Sequence, residues 1–406
     1  MIDEPTEDEL FLKDLVAKTR EQAPRSLEKD VIWAALSGLG HNEDGLIVYT
    51  TVTLSSLNLM NIDALRSYPF LQRLFLDHNE LTTLEPLKNA ATIMFLSAAH
   101  NKLQNDVFLD LSASCLCLEH LDLSHNEIAS LDGAEKFLYL SFLNVGHNQL
   151  AEVTDKQLEP LRSLVELHLD HNNIVTIAEK AFKGAMIQKL NVAHNDITDM
   201  QWVIALAHSL AQLDVSDNNI MHFELITKLQ LLSSFNLSGN NVYDQAELLY
   251  LSAVPTLREV SLIGNPLCNL SHGIHEAIDD DAASDIVAED LIQGASLKDQ
   301  LSHSQSLEPA AKQNSLFSKT PEEDDEEELA RLSLEQQYRL SVLWKAPNVT
   351  SLDGVPVSPQ ELTMAKNLQG GADRALRQRV KGKFLATSAN AAGSAANTLR
   401  KARSYH

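Results

Sequence analysis

The sequence predicts an α/β solenoid of about ten short repeats, with a parallel sheet along its concave face and a cap at each end. Three observations carry this reading. An eleven-residue phrase recurs nine times between Leu71 and Leu267. Its marker asparagines, Asn79, Asn101, Asn126, Asn148, Asn172, Asn195, Asn218, Asn240 and Asn265, follow one another at intervals of 22 to 25 residues. Apolar residues hold the first, fourth, sixth and eleventh places, and one repeat alone is too short to bury them. Stacking buries them against the next repeat, so the core runs the length of the molecule.

The clearest copies are LQRLFLDHNEL at Leu71, LEHLDLSHNEI at Leu118, LSFLNVGHNQL at Leu140, LVELHLDHNNI at Leu164, IQKLNVAHNDI at Ile187 and LAQLDVSDNNI at Leu210. Looser copies begin at Ile93, Leu232 and Leu257. All fit the leucine-rich repeat pattern L-x-x-L-x-L-x-x-N-x-L. The Asn amide turns the chain out of its strand and satisfies backbone groups that the bend leaves unpaired. Repeats this short leave little room for full helices on the outer face, so 3₁₀ or irregular segments are expected there.

Taken in order, residues 1–47 read as a helical N-terminal cap. Thr6 and Glu9 form a capping box before Leu10, Phe11, Leu12, Leu15 and Val16. A second helix is expected from Ser26, carrying Val31, Ile32, Trp33, Leu36 and Leu39 before Gly40 ends it. The solenoid spans 48–268. Its first repeat is atypical: Leu54, Leu57 and Leu59 keep the spacing, and Ile62 stands where the marker Asn is expected. Residues 269–336, with 17 acidic and 4 basic side chains, read as a largely disordered insertion whose acids after Pro321 suit a helix N-terminus. Residues 337–365 resemble the C-terminal cap of the 22-residue cytosolic leucine-rich repeat class, through Tyr338, Arg339, Pro347, Val349, Leu352 and Asp353. Ser358, Pro359 and Glu361 then open a further helix. Residues 366–406, with 9 basic and 1 acidic side chain, form a basic helical or disordered tail.

Composition narrows the function. The chain carries a net charge of −24, and the repeats from 51 to 268 hold 25 acidic against 12 basic residues. Such a surface repels phosphates, so a nucleic-acid partner is not expected. No apolar run is long enough for a membrane span, and from the acidic start no secretory signal is expected. Three sparse cysteines, Cys115, Cys117 and Cys268, point to a reducing, cytoplasmic compartment. No GxSxG, phosphate loop, HExxH or tied Cys–His pair occurs, so neither enzyme activity nor a small-molecule substrate is expected.

Function is therefore sought on the concave face, where outward strand residues form the usual binding surface of a solenoid. The eighth places of the first six copies are His78, His100, His125, His147, His171 and His194, which predicts a column in neighbouring strands about 5 Å apart. His120 and His168 share that face. Phe75, Phe95 and Phe142, with Met94 nearby, are candidate exposed anchors, and Glu166 and Asp170 are polar contacts further along. The column reads most simply as a repeat filler that hydrogen-bonds locally; a pH-dependent contact surface is the second reading. No metal site or cofactor is expected, because no carboxylate or Cys set completes one.

The stretch from Ser26 to Leu87 resembles the leucine-rich repeat protein of ciliary radial spokes. Leu65, Arg66, Ser67, Tyr68, Leu84, Pro86 and Leu87 carry the match, which with the C-terminal cap covers about Ser26 to Val357 without the insertion. The resemblance implies a non-enzymatic structural scaffold of the cilium or flagellum axoneme, with axonemal protein partners. The insertion is a departure from that family. The alternatives are a regulatory subunit binding a protein phosphatase catalytic chain and, with less weight, a spliceosomal adaptor; the string RVKGKF from Arg379 sets its Val too far from its Phe for the phosphatase-docking motif.

Overall fold

Each repeat supplies one short strand, because its fourth residue must enter the core while the third and fifth face outward. The computed structural model describes residues 25–42, 44–269 and 333–367. Among them an N-terminal hairpin, β1 (Leu36–His41) and β2 (Ile47–Thr53), is followed by the strands of the repeats. These are β3 (Arg73–Phe75), β4 (Phe95–Ser97), β5 (His120–Asp122), β6 (Phe142–Asn144), β7 (Glu166–His168), β8 (Lys189–Asn191), β9 (Gln212–Asp214), β10 (Ser234–Asn236) and β11 (Glu259–Ser261). A short β12 (Ser351–Leu352) and β13 (Val355–Pro356) follow, and the 13 strands of this sheet lie in chain order. Pairing is parallel from β2 to β12 and antiparallel at both ends.

Register follows from burial. Leu74, Leu96, Leu121, Leu143, Leu167, Leu190 and Leu213 stand opposite one another in one row and are at most 2% exposed. Each contributes roughly 2–3 kcal/mol by leaving water. A slip of one residue would turn the whole row outward.

The marker asparagines form a second ladder. The Asn148 Nδ2 donates to the carbonyls of Leu123 (3.0 Å) and Val145 (3.1 Å), while its Oδ1 accepts from Ile128 N at 3.0 Å. One amide thus satisfies groups of two successive repeats. On the outer face the chain returns mostly through 3₁₀ segments, such as Glu85–Leu87, Gln201–Leu206 and Gln245–Ala253. Two repeats hold short α-helices among α1 (Lys29–Ala35), α2 (Val107–Ser112) and α3 (Asp155–Leu158), namely the latter two. The 3₁₀ rise of about 2.0 Å per residue covers the return with fewer residues than an α-helix.

Two expectations need correction. The helix expected from Ser26 to Leu39 stops at Ala35, and Leu36–His41 is a strand. Gly38 has a φ of +66° there, and a Cβ on Gly40 would come within 2.7 Å of Thr50 Cγ2, so these glycines serve a closely paired hairpin rather than a helix end. In the first repeat the pairing of Val52 with Leu74 puts Leu57, not Ile62, in the marker's place. Asn79 of the next repeat bonds the Leu57 and Leu59 amides instead. The C-terminal helix α4 (Leu334–Lys345) has Ser333 and Gln336 as its capping box. The expected helix at Leu10–Val16, the Pro321 acids, nearly all of the insertion and the tail beyond 367 lie outside the described residues.

Helix α4 covers the last repeat with Leu340, Val342 and Leu343. The sheet then continues without a gap: Ser351 sits opposite Glu259, although 91 residues of chain lie between them. Tyr338 Oη donates to Asp353 Oδ2 at 3.0 Å, and Arg339 donates to Glu361 Oε1 at 3.0 Å and to the Leu352 carbonyl at 3.1 Å. Helix α5 (Pro359–Asn367) starts on reciprocal bonds between Ser358 and Glu361.

Candidate protein-binding face

Parallel pairing puts equivalent places of successive repeats side by side, so each outward place becomes a column. The third places give Arg73, Phe95, His120, Phe142, Glu166 and Lys189. The rings among them form a continuous stack: Phe95–His120 at 4.2 Å and His120–Phe142 at 4.1 Å, both nearly parallel. Phe75 joins one end at 5.0 Å from Phe95, and His168 the other at 5.6 Å from Phe142. The Arg73 guanidinium lies 4.7 Å over the Phe95 ring. Strands about 4.8 Å apart leave room for this offset stacking. The three phenylalanines are half-buried rather than fully exposed, because each covers its neighbour's face. Met94 beside them is exposed. His168 Nε2 lies 3.0 Å from Glu166 Oε1, and Lys189 Nζ 3.3 Å from Glu166 Oε2.

The histidine column stands at the rim of the face. His78, His100, His125, His147, His171 and His194 all have φ between +52° and +55°, so they lie in the left-handed turn after each strand, which corrects the expectation that they stand within the strands. His, Asn and Asp tolerate that conformation better than bulky residues. Ring centroids follow at 4.2, 3.9, 3.9, 3.9 and 4.0 Å. Burial, then the charge of neighbouring imidazoles, pushes the His100, His125 and His147 pKa values below the usual range. Burial does the same to His120. Hydrogen bonds from His168 and Lys189 outweigh the burial of Glu166 and hold its carboxyl below the usual range.

His147, Asp170 and His171 bring one ligand atom each to within 4.8 Å of the others, which sequence spacing alone did not reveal. The arrangement is poor for a shared ion. The two imidazoles lie 3.9 Å apart with only 16° between their planes, so their in-plane lone pairs do not converge. Asp170 instead acts as a hydrogen-bond hub: Oδ2 lies 3.1 Å from His171 Nδ1, and Oδ1 accepts from Asn191 Nδ2 at 3.0 Å. A Cβ on Gly146 would come within 3.0 Å of Asp170 Oδ1, so the carboxylate occupies the space a side chain would fill. Burial pushes the Cys115 thiol up to about 12, which makes it neither a nucleophile nor a metal ligand near neutral pH.

Between the aromatic stack and the histidine rim runs a row that the sequence reading missed. Asp77, Asp122, Asp170 and Asp214 occupy fifth or seventh places in every second repeat. The repeat that follows fastens each: Ser97 donates to Asp77, Asn144 to Asp122 (3.3 Å), Asn191 to Asp170 (3.0 Å) and Asn236 to Asp214 (2.9 Å). The alternation of Asp with Asn or Ser at those places was the available signal. A shallow recess of about 250 Å³ opens at the C-terminal end of this row, lined among others by Glu166, Lys189, Asn191, Asp214 and Asn236.

Comparison with known proteins finds two leucine-rich repeat family matches, at residues 138–197 and 114–137. Leucine-rich repeat-containing protein 56 of Rattus norvegicus is 31% identical over 108 residues, 27% of this chain and 20% of that protein. The alpha subunit of geranylgeranyl transferase type-2 of Homo sapiens is 29% identical over 102 residues, 25% of this chain and 18% of that protein. Cilia- and flagella-associated protein 410 of Homo sapiens is 33% identical over 98 residues, 24% of this chain and 38% of that protein. The chain thus spans about a fifth of the length of the first of these relatives. Among the described residues no helix is long and apolar enough to cross a membrane.

Proposed function

We propose that this chain, which belongs to the leucine-rich repeat proteins, is a non-enzymatic scaffold that docks protein partners on its concave face, in the axoneme of the cilium or flagellum. The observation that carries the docking role is the continuous stack from Phe75 to His168, half-buried and held in place before any partner arrives. Rings fixed in one geometry lose little entropy on binding, and aromatic groups with polar surroundings make effective anchors. The stack lies beside fastened carboxylates, so shape and charge are both set in advance.

Support for the axoneme comes from two directions. The segment around Leu65–Tyr68 resembles the radial-spoke protein, and one matched relative bears a cilia- and flagella-associated name. Another match is an enzyme subunit, so the repeats by themselves indicate a shared architecture rather than a shared activity. Nothing on the described surface favours the phosphatase-subunit alternative; RVKGKF lies outside it.

Fractionation of the tagged protein from ciliated cells tests this reading. Retention with the detergent-insoluble axoneme, reversed only by high salt, is the expected result. A wholly detergent-soluble pool would overturn the axonemal assignment.

A further inference from the structure

Resting on the scaffold reading, we infer that the partner presents an amphipathic α-helix to this face, laid along the solenoid axis, with Lys or Arg at seven-residue spacing. The carboxylates of Asp77, Asp122, Asp170 and Asp214 recur in every second repeat, so adjacent ones are about 9.6 Å apart along the axis. Seven residues of an α-helix advance about 10.5 Å. Over the three intervals of the row the mismatch sums to roughly 3 Å, which the flexible stem of a lysine absorbs. The same flexibility takes up the zigzag between fifth and seventh places.

The row is fixed and has charge to spare. Asp122 Oδ1 accepts from Ser124 N at 2.9 Å, and Asp214 Oδ1 accepts from Ser216 N at 2.9 Å, so each side chain is pinned by its own turn. Among the described residues no Lys or Arg forms an ion pair with any of the four. A cationic partner would meet carboxylates already in position, and charge complementarity of this kind speeds association and selects the partner.

Width decides for a helix. The rings of Phe95, His120 and Phe142 occupy third places and the carboxylates fifth or seventh places, so these two lanes are about 7–13 Å apart along the chain. A helix about 10–12 Å across reaches both, with apolar residues on the rings and basic ones on the carboxylates. An extended peptide covers one lane only. Arg73 over Phe95 already shows a guanidinium settled against this stack.

The test uses the full chain and a synthetic four-heptad peptide with Lys at one heptad position, Leu beside it and Gln or Ala elsewhere. A scrambled peptide of equal composition is the control. Binding is followed by fluorescence anisotropy at low salt. The expected result is micromolar binding of the heptad peptide, at least tenfold tighter than the scrambled one, and a tenfold loss in Asp122→Asn/Asp214→Asn. That variant keeps the oxygen that accepts from Ser124 and Ser216 and loses the one that accepts from Asn144 and Asn236, so circular dichroism checks its fold. Equal binding of the two peptides, no binding at 100 μM, or no effect of the substitutions would overturn the helix proposal. So would a peptide-competed dimer in sedimentation, which gives the face to a second copy. None of these results bears on axoneme retention, so the two readings fail separately.

Discussion

His100, His125 and His147 sit inside a stack of imidazoles about 4 Å apart. Two unit charges at that distance cost about 4 kcal/mol at an effective dielectric near 20, so protonation of one ring holds off its neighbours. His100, His125 and His147 have folded pKa values below the ordinary 6.5. The unfolded chain therefore takes up protons first as pH falls. Their contribution to stability is complete above about pH 6.5 and is lost as pH drops through 6.5 toward the lower folded values. Thermal melts from pH 7.5 to 5.0 are expected to lose more Tm in wild type than in His100→Asn/His125→Asn/His147→Asn; parallel curves would contradict this. The marker asparagines make a second residue-scale case. Asn148→Ala removes one amide and leaves buried backbone groups of two repeats without partners, at about 1–3 kcal/mol each. The expected loss is roughly 3 kcal/mol in denaturant unfolding, against well under 1 kcal/mol for an exposed control such as Gln149→Ala. The histidine column was legible in the sequence as a period, but its place was not. Its left-handed turn follows from the chain leaving the strand just before Asn, which spacing alone does not disclose.

At the scale of elements, the strands and the 3₁₀ returns were readable because nine copies repeat one burial pattern. The N-terminal hairpin was not. Val31, Ile32, Leu36 and Leu39 mimic a helical stripe, yet Leu39 is 70% exposed and the chain turns to strand at Leu36. A local apolar period could not reveal that Leu36–His41 would find Ile47–Thr53 as an antiparallel partner. Gly38→Ala forces a Cβ onto a φ of +66° and within 2.9 Å of Thr50 and Thr51 Oγ1. We expect faster hydrogen exchange confined to Leu36–Thr53, with the repeats beyond β4 unchanged, because solenoid repeats contact only their neighbours. Uniform protection would contradict the strained turn. The Asp row stayed hidden for a related reason. Its members alternate between fifth and seventh places, and only the pairing of strands joins them into one lane.

For the whole molecule, thirteen strands in chain order make one rigid face on which aromatic, carboxylate and histidine lanes run side by side. Curvature and length come from the repeats, while the chemistry comes from places the repeat leaves free. That division explains why the fold was legible and the partner was not. The most direct test compares partner recovery by proximity labelling in ciliated cells for wild type and two triple variants. One is Phe75→Ala/Phe95→Ala/Phe142→Ala on the concave face. The other is Leu109→Ala/Leu138→Ala/Met186→Ala, exposed positions on the returning segments. Circular dichroism confirms that both fold. The account predicts at least a tenfold loss of the wild-type partner set in the concave variant and near-complete recovery in the other. Equal recovery by both, or loss only in the second, would contradict it.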